Sequence, residues 1–139
     1  MPARLAPDGL TIIDVDECRT LLRKHYLGRL GYVTGERPVI VPVNYRLTID
    51  GDVAVLTAPG AKYEAAARGD TMCLQVDDVD VEYQSAWSVL VTGRSRVIDD
   101  ESEVEELARQ LRLRPWAHAV PQTHLILVHA DRIEGRRLH

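Results

Sequence analysis

The sequence predicts an α+β fold: a small antiparallel β-barrel with flanking helices. Three observations predict it. The 139 residues are enough for one domain with a hydrophobic core and too few for two. Six β-rich runs and three helical stretches follow one another, with links of hairpin length among the early strands. A sheet of short strands has edges to protect, and closing it into a barrel removes them.

Asp14 stands three residues before Glu17, as in a capping box, and Val15, Cys18, Leu21, Leu22 and Tyr26 recur at three- and four-residue steps. These positions give one apolar face of a helix, expected to end at Gly28. Arg29 to Thr34 is strand-like. Gly35-Glu36-Arg37-Pro38 supplies turn chemistry, and the β-rich run Pro38 to Ile49 then returns antiparallel. Asp50-Gly51 is the dipeptide of two-residue type I′ hairpins, with Asp52 to Ala58 coming back. The first three strands are therefore expected to form a meander.

Pro59-Gly60-Ala61 breaks the third strand, and Lys62 to Arg68, with three consecutive alanines, is a short helix closed by Gly69. Thr71 to Val76 is a strand, and the acidic stretch Asp77, Asp78, Asp80 and Glu82 reads as a solvated loop. Ala86 to Ile98 is a long strand with Gly93 as a bulge or bend in its middle. Ser102 followed by Glu105 is a second capping box. Val104, Leu107, Ala108 and Leu111 form the apolar face of that helix, which fades near Arg114-Pro115. Thr123 to Ile133 is the last strand.

Hydrophobic residues make up 45% and charged residues 27%, the balance of a packed soluble chain. The longest uncharged apolar stretches, such as Val39 to Val43 and Leu125 to Val128, fall far short of the roughly 20 residues that span a bilayer. Met1 to Leu10 has no apolar signal-peptide region, so a cytoplasmic location is expected. With 17 basic against 21 acidic residues and a net charge of −4, no basic surface offers itself to duplex nucleic acid.

Cys18 and Cys73 lack CxxC spacing and are expected to be inert free thiols. The chain has no GxGxxG, GxxxxGK[ST], GxSxG or HExxH pattern. Its five histidines are His25, His118, His124, His129 and His139. The one pair expected on a strand, His124 and His129, points to opposite faces, so no metal site is expected.

Gly60-Ala61-Lys62 is more informative. Free N–H groups at a helix start, an ammonium and the hydroxyl of nearby Thr57 together suit a phosphate. A plain strand-to-helix turn with a solvated lysine is the other reading. Lys62 is one of two lysines, with Lys24, and Asn44 is the chain's single asparagine. Inside a strand, its amide would bond either a heteroaromatic ligand or neighbouring backbone. Trp87-Ser88 begins a strand with a flat ring beside a small hydroxyl, and Trp116 lies in a Pro-flanked loop. Either ring could serve a ligand or simply bury area.

Taken in order, Gly28-Arg29-Leu30, Arg37-Pro38-Val39, Pro42-Val43-Asn44-Tyr45, Thr57-Ala58-Pro59-Gly60-Ala61-Lys62, Val76-Asp77, Trp87-Ser88-Val89 and Gly135-Arg136 resemble the pyridoxamine 5′-phosphate oxidase-like split-barrel family. The similarity spans about residues 14 to 138 and is closest to the small branch that includes nitroimidazole-resistance proteins. It implies a six-stranded split β-barrel that dimerises and holds FMN in a groove between subunits.

Carried over by position, Pro42, Val43 and Asn44 would lie along the isoalloxazine ring. Thr57, Ala61 and Lys62 would hold the phosphate, with Trp87, Ser88 and Arg136 near the groove. Ala61 stands where the family often has serine, and Ala86 where glycine is usual. The loss of one donor to a charged group weakens binding by about tenfold to a hundredfold.

The function implied is an FMN-dependent oxidoreductase that passes hydride or electrons to a small acceptor. Two alternatives share the fold. One is an F420 (deazaflavin)-dependent reductase using Arg94, Arg96, Arg136 and Arg137 for the acidic cofactor tail. The other is a non-catalytic flavin or haem-binding dimer, which Ala61 favours. True pyridoxine-phosphate oxidases are longer, and no second phosphate-binding set is visible in the sequence. No residue stands out as a general acid or base, and flavin chemistry need not have one.

Overall fold

The computed structural model describes residues 3–114, 121 and 123–138; Trp116, His118 and His139 lie outside them. A short strand β1 (Thr11–Ile13) leads into helix α1 (Val15–Lys24). The Asp14 carboxylate accepts the Glu17 N–H at 2.9 Å. Asp16 and Glu17 occupy the first turn and Arg23 and Lys24 the last, each sign where the helix dipole favours it. The helix ends at Lys24, with His25 already extended, and so stops short of Gly28. Gly28 instead lies inside β2 (Leu27–Thr34), where a Cβ would press on Leu74 at 3.0 Å. It serves close strand packing rather than helix termination.

β2 turns through Gly35, at φ +62°, into β3 (Arg37–Asn44), with Thr34 opposite Arg37. The expected single run from Pro38 to Ile49 divides at Tyr45. This residue is buried, its hydroxyl donates to the Leu22 carbonyl at 2.6 Å, and its N–H donates to the Tyr26 carbonyl at 2.8 Å. Beyond it are β4 (Arg46–Leu47) and β5 (Val53–Thr57). Residues 48–52 link them, and the loop inside the Thr48–Asp52 pair, residues 49–51, is not the expected two-residue type I′ turn. Thr48 N–H donates to the Asp52 carbonyl, Gly51 N–H donates to the Thr48 carbonyl, and of the link residues Gly51 alone has positive φ. A right-handed turn closed by a left-handed glycine leaves Asp50 unstrained.

Nor do the early strands form a meander, because β5 pairs with β4 and with β8 (His124–Val128) rather than with β3. Helix α2 (Ala61–Ala67) follows β5, and Gly69 behind it is left-handed at φ +78°. The acidic stretch expected to be a loop mostly continues β6 (Thr71–Asp80). Asp77, Asp78 and Asp80 pair with Ser88, Trp87 and Ser85 of β7 (Ser85–Ile98). Cross-strand pairing satisfies this backbone while the carboxylates stay in water, so acidity alone misidentifies it.

Helix α3 (Glu101–Leu111) is capped by Asp100, not Ser102. The Asp100 carboxylate accepts the Glu103 N–H at 3.0 Å and the Ser102 hydroxyl at 2.8 Å. The expected last strand breaks at residues 129–131 into β8 and β9 (Arg132–Leu138).

Among the described residues there are thus nine strands where six were expected. β1 is new, and two expected strands each divide in two. The order β3-β2-β6-β7-β8-β5-β4, with β9 bridging β1 and β7, is an antiparallel α+β split barrel. β7 is its spine: the first half pairs with β6 and β9, the second with β8. The change occurs at Gly93, where a Cβ would sit 1.6 Å from the His129 carbonyl oxygen. Pairing runs unbroken through Met72 opposite Gly93, so the glycine permits a close crossing rather than a bulge. The main core gathers Leu30, Val43, Leu74, Val89 and Ile126. A second cluster joins Val104 and Leu113 to Ala54, Leu125 and Leu127 under α3.

Candidate functional site

Thr57 ends β5 with its side chain buried, and its hydroxyl donates to the Ala58 carbonyl at 2.9 Å. To donate to a ligand it must leave that bond. Gly60 then turns the chain into α2 without a side-chain cap. The first α2 residue to bond back is Glu64, whose N–H donates to the Gly60 carbonyl. The N–H groups of the first turn have no acceptor within the helix.

Lys62 sits in this turn, half-buried. Burial pulls its ammonium below the usual lysine value, and among the described residues no carboxylate pairs with it. A desolvated cation without an acid is suited to accepting an anion.

The neighbouring Tyr63 fixes this corner. Its hydroxyl donates to the Asp99 carboxylate at 3.0 and 3.1 Å, a bond that holds the phenol above its usual pKa. Asp99 also meets Nδ1 of His124 at 2.9 Å, and the Tyr63 and His124 rings lie 4.7 Å apart. His124 is opposite Thr57 in the β5–β8 ladder. This clamp joins α2, β8 and the segment after β7. It is invisible in the sequence, where its members are 36 and 25 residues apart.

Pro42, Val43 and Asn44 end β3, which pairs with β2 alone among the described strands. Pro42 is exposed and Asn44 half-buried. The Val43 side chain, however, lies in the main core at 1% exposure. Only its backbone is placed to meet a ligand, because alternation along the strand turns its Cβ inward. Asn44 lines a cleft of about 420 Å³ that also includes Tyr26, Arg46, Arg112 and Arg114. Sequence reading missed these arginines as a group.

Trp87, Ser88 and Arg136 line a shallow cleft of about 330 Å³. Ser88 faces Asp77 on one side and Arg136 on the other. The Trp87 ring is tilted against His25 at 5.0 Å. Arg136 donates to the Gly135 carbonyl at 3.0 Å and lies 3.8 Å from the Asp8 carboxylate.

The nine expected residues therefore form three groups within one chain, at the β5–α2 corner, the end of β3 and the β7–β9 pair. The arginines considered for a deazaflavin tail do not gather either. Arg94 and Arg96 line a cleft with Asp52 and His129, while Arg137 is paired with Glu17 at 2.8 Å. His124 and His129 bind separate acids, the latter Asp52 at 2.8 Å. Among the described residues no group of three or more His, Cys, Asp or Glu could hold a metal. Both cysteines are free, Cys18 fully buried and Cys73 half-buried.

Comparison with known proteins places this geometry. The sequence profile described as pyridoxamine 5′-phosphate oxidase matches residues 14–137. The uncharacterized protein Rv0080 of Mycobacterium tuberculosis is 30% identical over 131 residues, covering 91% of this chain and 84% of that one. The FAD binding protein of Mycobacterium smegmatis superposes with a TM-score of 0.73 at 34% identity, covering 93% of this chain and 100% of that one. A candidate 5-nitroimidazole antibiotic resistance protein of Bacteroides thetaiotaomicron shares the fold, with a TM-score of 0.69 at 17% identity over 91% of this chain and 86% of its own.

Proposed function

The chain belongs to the pyridoxamine 5′-phosphate oxidase family, and on that premise we propose that it binds FMN, or the FMN half of FAD, and works as a flavin-dependent oxidoreductase on a small acceptor. The observation that carries this reading is Lys62. Its half-buried ammonium lacks a carboxylate partner among the described residues, and it stands at the start of the helix that follows the strand ending at Thr57. The fit to a phosphate is one of charge and donors. The similar Mycobacterium smegmatis protein, which binds FAD, supports a flavin over a deazaflavin.

In this reading Lys62 and the first-turn N–H groups of α2 hold the phosphate, and the Thr57 hydroxyl turns toward it. The Tyr63–Asp99–His124 clamp keeps that corner rigid. The open edge of β3 at Pro42, Val43 and Asn44 receives the ring. Bound flavin supplies the hydride or electron transfer, and the protein supplies orientation and electrostatics.

A homodimer completes the groove and brings Trp87, Ser88 and Arg136 of one subunit toward the site of the other. This part of the reading is supported by exposed apolar residues such as Ile40, 74% exposed beside the open edge, and Tyr26 at 60%. Two unpaired cysteines suit a reducing, cytoplasmic setting.

Lys62→Ala tests the assignment by flavin titration. Loss of a charge-assisted contact is expected to weaken FMN binding about tenfold to a hundredfold. Equal affinity in the two proteins would remove Lys62 from the site.

A further inference from the structure

We propose that the cleft between the end of β3 and the end of α3 is a second anion site, built to take a phosphate-bearing ligand through Arg46, Arg112 and Arg114. These three side chains line one cleft of about 420 Å³ with Tyr26 and Asn44, in a chain whose net charge is −4. Acids are plentiful, yet among the described residues none pairs with these guanidinium groups. Arg19, Arg29, Arg68, Arg109, Arg132 and Arg137 each hold a carboxylate. What distinguishes Arg46, Arg112 and Arg114 is that all three line one cleft.

The Arg46 side chain and the backbone that carries Arg112 and Arg114 are also held in place. The Arg46 guanidinium carbon lies 5.8 Å from the centre of the Tyr26 ring, a contact that steadies the group without using up its N–H donors. Arg112 ends α3 in the left-handed conformation, φ +55°, with its N–H on the Arg109 carbonyl. The next residue, Leu113, is buried at 7% exposure, and its N–H donates to the Ala108 carbonyl at 2.9 Å. Arg112 and Arg114 are exposed on either side of that anchor.

Planar guanidinium forks match phosphate oxygens bidentately. Three of them in a cleft of this volume suit a phosphate monoester or diphosphate on a small molecule rather than a lone halide. Arg46 is more than 60 residues from Arg112 in the chain, which is why no such set shows in the sequence.

Two sources can bring that chemistry: the adenosine diphosphate half of FAD, or a separate phosphate-bearing co-substrate approaching the ring at Asn44. The choice between them rests on the flavin reading; the anion site itself does not.

The test is calorimetric titration of pyrophosphate, at low ionic strength, into Lys62→Ala protein, which lacks the other anion site. The same titration is made on that protein carrying Arg112→Gln and Arg114→Gln. Both arginines are exposed, and matched circular dichroism spectra confirm the fold. Saturable binding of one equivalent is expected, weakened by about tenfold or more in the arginine variant. Equal binding in both proteins, or none in Lys62→Ala, overturns the proposal.

FMN and FAD are then titrated into otherwise wild-type protein with and without the two arginine substitutions. Weakened FAD with unchanged FMN assigns the cleft to the diphosphate half of the cofactor, and unchanged affinity for both assigns it to a separate ligand. Failure of wild-type protein to bind either flavin would sink the flavin reading while the pyrophosphate result still judges the cleft.

Discussion

Gly93→Ala tests the crossing on which the barrel is built. A Cβ there would lie 1.6 Å from the His129 carbonyl oxygen, 2.7 Å from its carbon and 3.0 Å from the Asp131 carboxylate. A carbon and a carbonyl oxygen approach to about 3.3 Å at best, so β7 and the segment after β8 must part by more than 1 Å. That separation strains the His129 N–H bond to the Arg94 carbonyl at 2.8 Å and the Arg94 N–H bond to Asp131 at 3.1 Å.

Two such bonds are worth about 1 kcal/mol each, and overpacking adds about 1 to 3 kcal/mol. The sum, about 3 to 5 kcal/mol, is a large part of the roughly 5 to 15 kcal/mol that holds a domain folded. Urea unfolding followed by circular dichroism should show the midpoint fall at nearly constant slope. A loss below about 1 kcal/mol would refute the argument, since it would mean that the crossing yields freely.

Lys62→Met is expected to stabilise the ligand-free protein at neutral pH, because burial lowers the lysine pKa in the folded state. The unfolded chain then binds more protons between the two values, so wild-type stability should rise with pH across that window and its deficit against the variant should shrink. A deficit that grows as pH rises would contradict this. Asp14→Ala removes the cap that receives the Glu17 N–H and should lower stability by about 1 kcal/mol in the same urea assay; no change would mean that the cap is redundant. Burial first, then the Asp14 and Glu17 charges, pushes the Cys18 thiol up. A Cys73→Ser protein should therefore react with a disulfide reagent only on unfolding, and a rapid native-state reaction would place Cys18 at the surface.

What could be read from the sequence was local. The Asp14 cap, the inward face of α1 at Cys18 and Leu22, that of α3 at Val104 and the turn at Gly35 depend on residues within a few positions of one another, and the structure has them where spacing put them; Val15 and Tyr26, expected on the α1 face, are exposed, and Tyr26 lies beyond the helix. The misreadings arose where a distant partner decides. Asp77 and Asp78 look like a solvated loop until Ser88 and Trp87 pair with them. Pro38 to Ile49 looks like one strand until Leu22 and Tyr26 draw Tyr45 inward. Ser102 looks like the cap of α3 until the backbone geometry gives that place to Asp100.

The site divides in the same way. Thr57, Gly60 and Lys62 are neighbours in the chain and stood out. The Tyr63–Asp99–His124 clamp and the Arg46, Arg112 and Arg114 cleft are made by the fold alone.

The most direct measurement is the visible absorption spectrum of the purified protein after incubation with FMN, and separately with FAD, followed by gel filtration. The expected result is an oxidised-flavin spectrum that travels with the protein at one cofactor per chain and is lost or greatly reduced in Lys62→Ala. A wild-type protein that emerges colourless from both incubations would contradict the account.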